Sequence, residues 1–325
     1  VHHAIAAAPP RALPFIYARN PARPGGSGVD AFLDRWSDDA DAIEAALHYC
    51  GAVLFRGFEI DHQDRFERVA GELKHDLVDY VDGNSPRTKV AAGVYTSTEY
   101  PPDYFISLHN ELSYSARWPA RLFFCCITAP DEGGETPLCD GRDLLAALPA
   151  GLVDRFRARG IQYIRNLHGG KGFGPSWQAT FETIDRRVVE DHARATGMDL
   201  AWTSGGGVRL TIVRPATQRH PVTGEEVWFN QADQFHPSTH PRPVYESMLA
   251  LYRGREDLLP QDARFGDGGA IPAEDLAVIR DVTRQQMARF PWQRGDLLMI
   301  DNMLVSHGRM PFRGPRKVLV AMTAR

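Results

Sequence analysis

The residues best suited to chemistry stand together at Leu108-His109-Asn110-Glu111, at the end of a short apolar run. Side chains alternate along an extended backbone, so residues 109 and 111 point to one face, where an imidazole and a carboxylate can converge on one ion. A His-x-Glu pair alone is a weak signal. A second imidazole, His307, follows an apolar run and a turn in LLMIDNMLVSHGR, where a barrel can carry it across to the first pair. Two histidines and one carboxylate form the facial triad of non-haem Fe(II) oxygenases, which leaves three metal positions open. The same donors suit a Zn(II)-dependent hydrolase that keeps one position for water, and a noncatalytic ligand-binding protein is the remaining alternative.

Charge separates these readings. Two neutral imidazoles and one glutamate leave Fe(II) with a single positive charge. A dianionic 2-oxo acid that chelates through its keto and C1 carboxylate oxygens then needs another cation for its far carboxylate. Arg316 opens RKVLVAM, in which positions 316, 318, 320 and 322 alternate to one side, so its guanidinium projects inward above Val318, Val320 and Met322. A planar guanidinium fork gives a buried carboxylate two charge-assisted hydrogen bonds.

These groups need a frame. Helical spacing covers residues 29–49 as two short helices, and again 61–73, 141–159, 183–195, 244–253 and 272–289. Strand-like runs lie at 51–57, 89–95, 105–108, 121–128, 136–139, 208–214, 225–230, 296–300 and 317–322. The connections are too irregular for regular βαβ winding, and the 23 prolines fall largely at turns, which favours a barrel or sandwich with helices packed outside. We expect a single domain over 1–325, with an irregular N-terminal segment at 1–28 and a long insertion, lid and helical region at 141–290. The Thr-, Pro- and Asp-rich stretch around Tyr95 and Glu99 reads as part of a lid.

Composition narrows the partners. With 325 residues, 43% of them hydrophobic, the chain can bury a sizeable core. Lys+Arg 37 against Asp+Glu 41 gives a formal charge of -4 without long runs of one sign, which argues against nucleic acid and favours a small-molecule substrate. The longest apolar stretches are strand-sized, far below the roughly 18 residues of a membrane span, and the N-terminal VHHAIAAAPP does not read as a signal peptide, so the expectation is a cytoplasmic protein. Four cysteines without CxxC spacing read as core thiols.

The ordered motifs VYTSTEYPPDYFISLHNELSY, PDEGGETPLCD, VWFNQ, PWQRGDLLMIDNMLVSHGR and PRKVLVAM resemble the TauD/TfdA superfamily of Fe(II)/2-oxoglutarate-dependent dioxygenases, and within it the SyrP-like branch of specialised metabolism. The resemblance spans residues 49–322. It implies an α+β fold with a mainly β core, a double-stranded β-helix (jelly-roll, cupin-like) with flanking helices. It also implies His109, Glu111 and His307 as iron ligands, and Thr136 and Arg316 as the holders of the distal carboxylate of 2-oxoglutarate, with O2 as oxidant and succinate and CO2 as products. The usual second ligand of the superfamily is Asp, and here it is Glu111. Val320 stands where taurine-type enzymes carry a substrate arginine, so the resemblance points away from taurine and towards hydroxylation of an amino acid or an amino-acid-derived intermediate, free or tethered to a carrier protein.

Weaker candidates complete the expectation. Tyr95, Asn230 and Gln231 are the substrate-contact candidates, with His236 and His240 in a nearby loop. Phe105, Phe123 and Leu298 are candidates to shield the reacting centre. The glycine-rich run from His168 to Gly174 has phosphate-loop composition but not the GxxxxGK[ST] order, so it predicts a loop and no ATP site.

Overall fold

The computed structural model describes residues 11–21, 26–72, 77–78, 82–83 and 87–324. Its frame is a seven-stranded sheet in the order Phe15–Ala18, Ala52–Arg56, Leu297–Asp301, Arg121–Thr128, Lys317–Thr323, Val94–Thr96, Lys89–Ala91. The central strands are continuous apolar runs because both faces are covered. Phe123, Cys125, Met299, Leu319 and Ala321 face one side, where they pack with Phe32, Leu47 and Phe66 of the helices Val29–Asp38, Ala40–Cys50 and Gln63–Glu72. Phe124, Cys126, Leu298, Ile300, Val318, Val320 and Met322 face the other side and join the inner core.

A three-stranded sheet, Ile106–His109, Val305–Arg309 and Leu138–Asp140, forms the second wall. Its Leu138 and Val305 belong to the same inner cluster as Leu298 and Val320. The result is the mainly β core with flanking helices that the resemblance implies.

Two expectations change. Phe15–Ala18, inside the segment expected to be irregular, is a strand paired in parallel with Ala52–Arg56. Its residues FIYA are apolar but mostly exposed, so main-chain pairing to a sheet edge holds it, with Tyr17 against Phe55. The 141–290 insertion is also more than a helical lid. Ile161–Leu167 and Gln261–Phe265 join Asp199–Trp202 and Val208–Arg214 in a four-stranded antiparallel sheet. The long helix expected at 141–159 is two, Gly141–Ala147 and Ala150–Arg159, broken at Leu148-Pro149 because the residue before a proline is pushed out of the helical region. Ile161 and Phe265 of the insertion share a cluster of buried side chains with Leu298 and Val320 of the barrel.

Candidate metal centre and co-substrate cavity

His109 ends its strand, and His307 lies directly opposite on the neighbouring antiparallel strand. The ring centroids stand 4.5 Å apart. This approach depends on Gly308, where an added Cβ would come within 2.4 Å of the Ile106 carbonyl oxygen. After His109 the chain leaves the strand and turns, with Leu112 in the left-handed region at φ 56°. Asn302 fixes that turn: its Oδ1 accepts from the Glu111 N–H at 2.7 Å, and its Nδ2 donates to the carbonyls of Glu111 at 2.9 Å and Pro119 at 2.8 Å. The loop carrying Asn302 is itself shaped by Asp301, whose Oδ1 accepts from the amides of Met303 and Leu304 while Oδ2 faces His220 Nε2 at 3.0 Å.

Three buried donors thus converge. One ligand atom from each of His109, Glu111 and His307 lies within 4.8 Å of the others. Burial lowers the pKa of both histidines, and for His307 the neighbouring His109 and Arg87 push in the same direction, so both rings are held neutral. The Ser107 carbonyl, which can only accept, stands 2.9 Å from His109 Nδ1. That nitrogen therefore carries the proton and Nε2 keeps its lone pair. Gln234 Nε2 donates to the same Ser107 carbonyl at 3.0 Å and, being a donor itself, holds that carbonyl and makes no hydrogen bond to a protonated Nδ1. In His307, Nδ1 is buried with no hydrogen-bond partner among the described residues, and Nε2 stands 3.9 Å from Glu111 Oε2, beyond hydrogen-bond reach. Two neutral imidazoles and a carboxylate with unused donor capacity fit a divalent ion.

A cavity of about 30 Å³ adjoins the donors and is lined by His109 and His307 together with Thr136, Arg87, Arg309 and Arg316. Arg316 donates from Nε to the Gly134 carbonyl at 2.9 Å and from Nη1 to Ser97 Oγ at 3.2 Å. Among the described residues no carboxylate pairs with it. Burial, reinforced by Arg309, pulls its pKa down to about 10, still far enough above neutrality to keep the charge. Thr136 Oγ1 accepts from Trp292 Nε1 at 3.2 Å, which leaves its own proton to donate. A buried guanidinium and a hydroxyl beside a metal-donor set make a place for an anion.

The substrate candidates have other surroundings. Tyr95 is 2% exposed and packs in the inner core, outside the lining of the donors' cavity. Asn230 and Gln231 line a separate cavity of about 220 Å³ with Ser107, Leu108, Asn110 and Ser306. Ser107 and Gln234, whose carbonyl oxygen and Nε2 stand 2.9 and 3.0 Å from His109 Nδ1, both line it, so this cavity adjoins the His109 ring. Asn230 is engaged with the Ala216 carbonyl and the Ala232 amide. Phe123 faces the outer helices, with its ring 6.2 Å from Trp36, and shields nothing at the donors; Phe124, 5.1 Å from the His307 ring, takes that place.

Four residues escaped the sequence reading: Arg87, Gln234, Asn302 and Arg309. The guanidinium of Arg309 donates to the carbonyls of Thr98, Tyr100, Pro101 and Tyr104, so the stretch expected to be a lid is pinned along its length. The only available signal was proximity in sequence, since Asn302 and Arg309 flank His307.

Comparison with known proteins agrees with the geometry. The profile of the family described as "Taurine catabolism dioxygenase TauD, TfdA family" matches residues 19–323. The dapdiamide synthesis protein DdaC of Enterobacter agglomerans is 40% identical over 296 residues, 91% of this chain and 88% of that protein. A clavaminate synthase-like protein of Arabidopsis thaliana is 35% identical over 291 residues, 86% of this chain and 83% of that one. Among solved structures, PvcB of Pseudomonas aeruginosa, described as an Fe, alpha-ketoglutarate dependent oxygenase from an isonitrile synthetic pathway, superposes with a TM-score of 0.54 at 16% identity, covering 96% of this chain and 87% of that one. That likeness bears on the fold alone. The chain belongs to the TauD/TfdA family and is a non-haem Fe(II)/2-oxoglutarate-dependent dioxygenase.

Proposed function

We propose that His109, Glu111 and His307 hold Fe(II), that Thr136 and Arg316 hold the distal carboxylate of 2-oxoglutarate, and that the enzyme hydroxylates an unactivated C–H of an amino acid or amino-acid-derived intermediate in specialised metabolism. The observation that carries the site assignment is Arg316, a buried cation without a carboxylate partner among the described residues, in a cavity that is also lined by Thr136 and both histidines. The substrate class rests on the 40% identity to a dapdiamide synthesis protein.

Iron, when bound, supplies O2 activation coupled to oxidative decarboxylation of 2-oxoglutarate. The chain supplies placement and shielding. His109 and His307 present neutral nitrogens, and Asn302 fixes the main chain of Glu111. Phe124 and Leu298 exclude water from the inner side. A free amino acid and a carrier-bound one differ in whether the α-carboxylate is available, and a succinate-release screen against both forms decides between them.

The site assignment has a direct test. Under anaerobic conditions Fe(II) and 2-oxoglutarate together give a visible charge-transfer band that neither gives alone. His109→Ala and Glu111→Ala lose both metal and band. Arg316→Met keeps the metal but weakens 2-oxoglutarate on the order of 100-fold, the scale of a lost buried charge pair. Equal loss of metal in all three variants, or zinc-supported hydrolysis without the band, would overturn the assignment.

A further inference from the structure

The metal-facing cavity holds a cation that the roles above leave unassigned. The Arg87 side chain is 2% exposed, and its Nη2 donates to Glu111 Oε2. That is the same oxygen that faces His307 Nε2 at 3.9 Å. Arg87 therefore touches the carboxylate on its metal-facing side and, with Thr136 and Arg316, lines the cavity in which the co-substrate would sit. Arg309 also lines it, but its guanidinium is engaged by four main-chain carbonyls.

Charge then dictates the sign of what Arg87 does. A divalent ion at the donors meets a guanidinium on the oxygen it must share, and two like charges this close in a low-dielectric site repel strongly. A dianionic oxo acid entering the same cavity is attracted by that guanidinium. One residue opposes the first ligand and favours the second.

We infer that Arg87 couples the two ligands by exchange: without the acid its guanidinium holds the Glu111 oxygen that the metal needs, and a bound dianion draws the guanidinium to itself and frees that oxygen, so that the acid and the metal bind more cooperatively than direct chelation alone provides. This rests on the site assignment above. Because coupling is reciprocal, the acid tightens the metal by the same factor by which the metal tightens the acid. Arg87 is a positioning residue in this account, acting through Glu111 and through charge.

Titration of the full-length protein with Co(II), followed by its visible absorption, with and without 2-oxoglutarate, tests this. In the parent protein 2-oxoglutarate should raise Co(II) affinity by tenfold or more. In Arg87→Met, Co(II) alone should bind at least tenfold tighter, and the gain from 2-oxoglutarate should shrink to the part that direct chelation supplies, at least threefold below the parent's gain. Arg87→Lys, which keeps the charge and loses the fork, should stay near the parent in both measurements, with circular dichroism confirming that each variant is folded. If Arg87→Met weakens Co(II) in parallel with a Glu111→Gln variant, or leaves the gain from 2-oxoglutarate unchanged, Arg87 does no more than orient Glu111 and the inference falls. Retention of Co(II) by His109→Ala and Glu111→Ala would instead sink the site assignment beneath it.

Discussion

Asn302 is fully buried and satisfies the peptide groups of Glu111 on both sides, N–H and carbonyl, while its second amide hydrogen reaches Pro119. Removing its amide strands three main-chain groups, and a buried unsatisfied group costs about 1–3 kcal/mol. Asn302→Ala is therefore expected to lower unfolding stability by about 3–5 kcal/mol in a denaturant titration and to weaken Co(II) binding, because the Glu111 turn is no longer fixed. Stability loss with unchanged metal affinity would show that the turn holds without Asn302. His109, Glu111 and His307 could be named from sequence because the chemistry demands those side-chain types and only a few spacings let them meet. Asn302 could not, since an asparagine before a strand gives no hint of which main chain it will meet. Asn230 and Gln231 show a related limit: a polar pair after an apolar strand faces a cavity, but sequence does not say which of two cavities.

At the scale of elements, the proposed metal centre is a contact between two antiparallel strands, and Gly308 sets how closely they approach. A Cβ there would meet the Ile106 carbonyl at 2.4 Å, a backbone atom that can yield only if the strands part. Gly308→Ala should reduce Co(II) affinity by at least tenfold, and the control Gly28→Ala, with nothing within 4 Å, should leave it unchanged. Arg309, next along the strand, ties the 98–104 stretch to the same wall. Arg309→Met should raise hydrogen exchange within 98–104 while the strand Arg121–Thr128 stays protected; uniform protection in both would mean that the four carbonyl contacts do not order that stretch. The apolar runs LFFCCI and VLVAM were legible as strands because their burial on both faces leaves a continuous hydrophobic signature. Ile161–Leu167 reads IQYIRNL, with Gln162 and Asn166 among its apolar residues, and the sheet it joins becomes visible only when its partners from 199–214 and 261–265 are brought beside it.

At the scale of the whole molecule, the main sheet separates two large apolar layers, and the cysteines report on whether those layers are closed. Cys125 lies on the helix-facing side, with its thiol donating to the Ile60 carbonyl at 3.0 Å, and Cys126 lies on the barrel side of the same strand. Burial raises every thiol pKa: Cys126 and Cys139 to about 12, Cys125 well above its ordinary value, and Cys50 upward against the opposing Ala12 backbone hydrogen bond and the charges of Arg142 and Arg11. At pH 8 a thiol of pKa about 12 is ionised to roughly one part in ten thousand, and the thiolate is the nucleophile. The native protein is thus expected to resist iodoacetamide at pH 8, with all four cysteines alkylated after unfolding in guanidinium. Raising the pH towards 10 should speed native labelling only as far as opening allows, since access as well as ionisation is limiting. Cys50, at the end of the helix Ala40–Cys50, should label before the sheet cysteines, because helix ends open locally while the central strand opens only with the fold. Adding Co(II) with 2-oxoglutarate should slow labelling of Cys125 and Cys126 further, as ligands that bind only the folded state lower the open population by mass action. Mass spectrometry of the alkylated peptides reads each site separately, and native labelling of Cys125 at the rate of a free thiol would mean that the layer between sheet and helices is not closed.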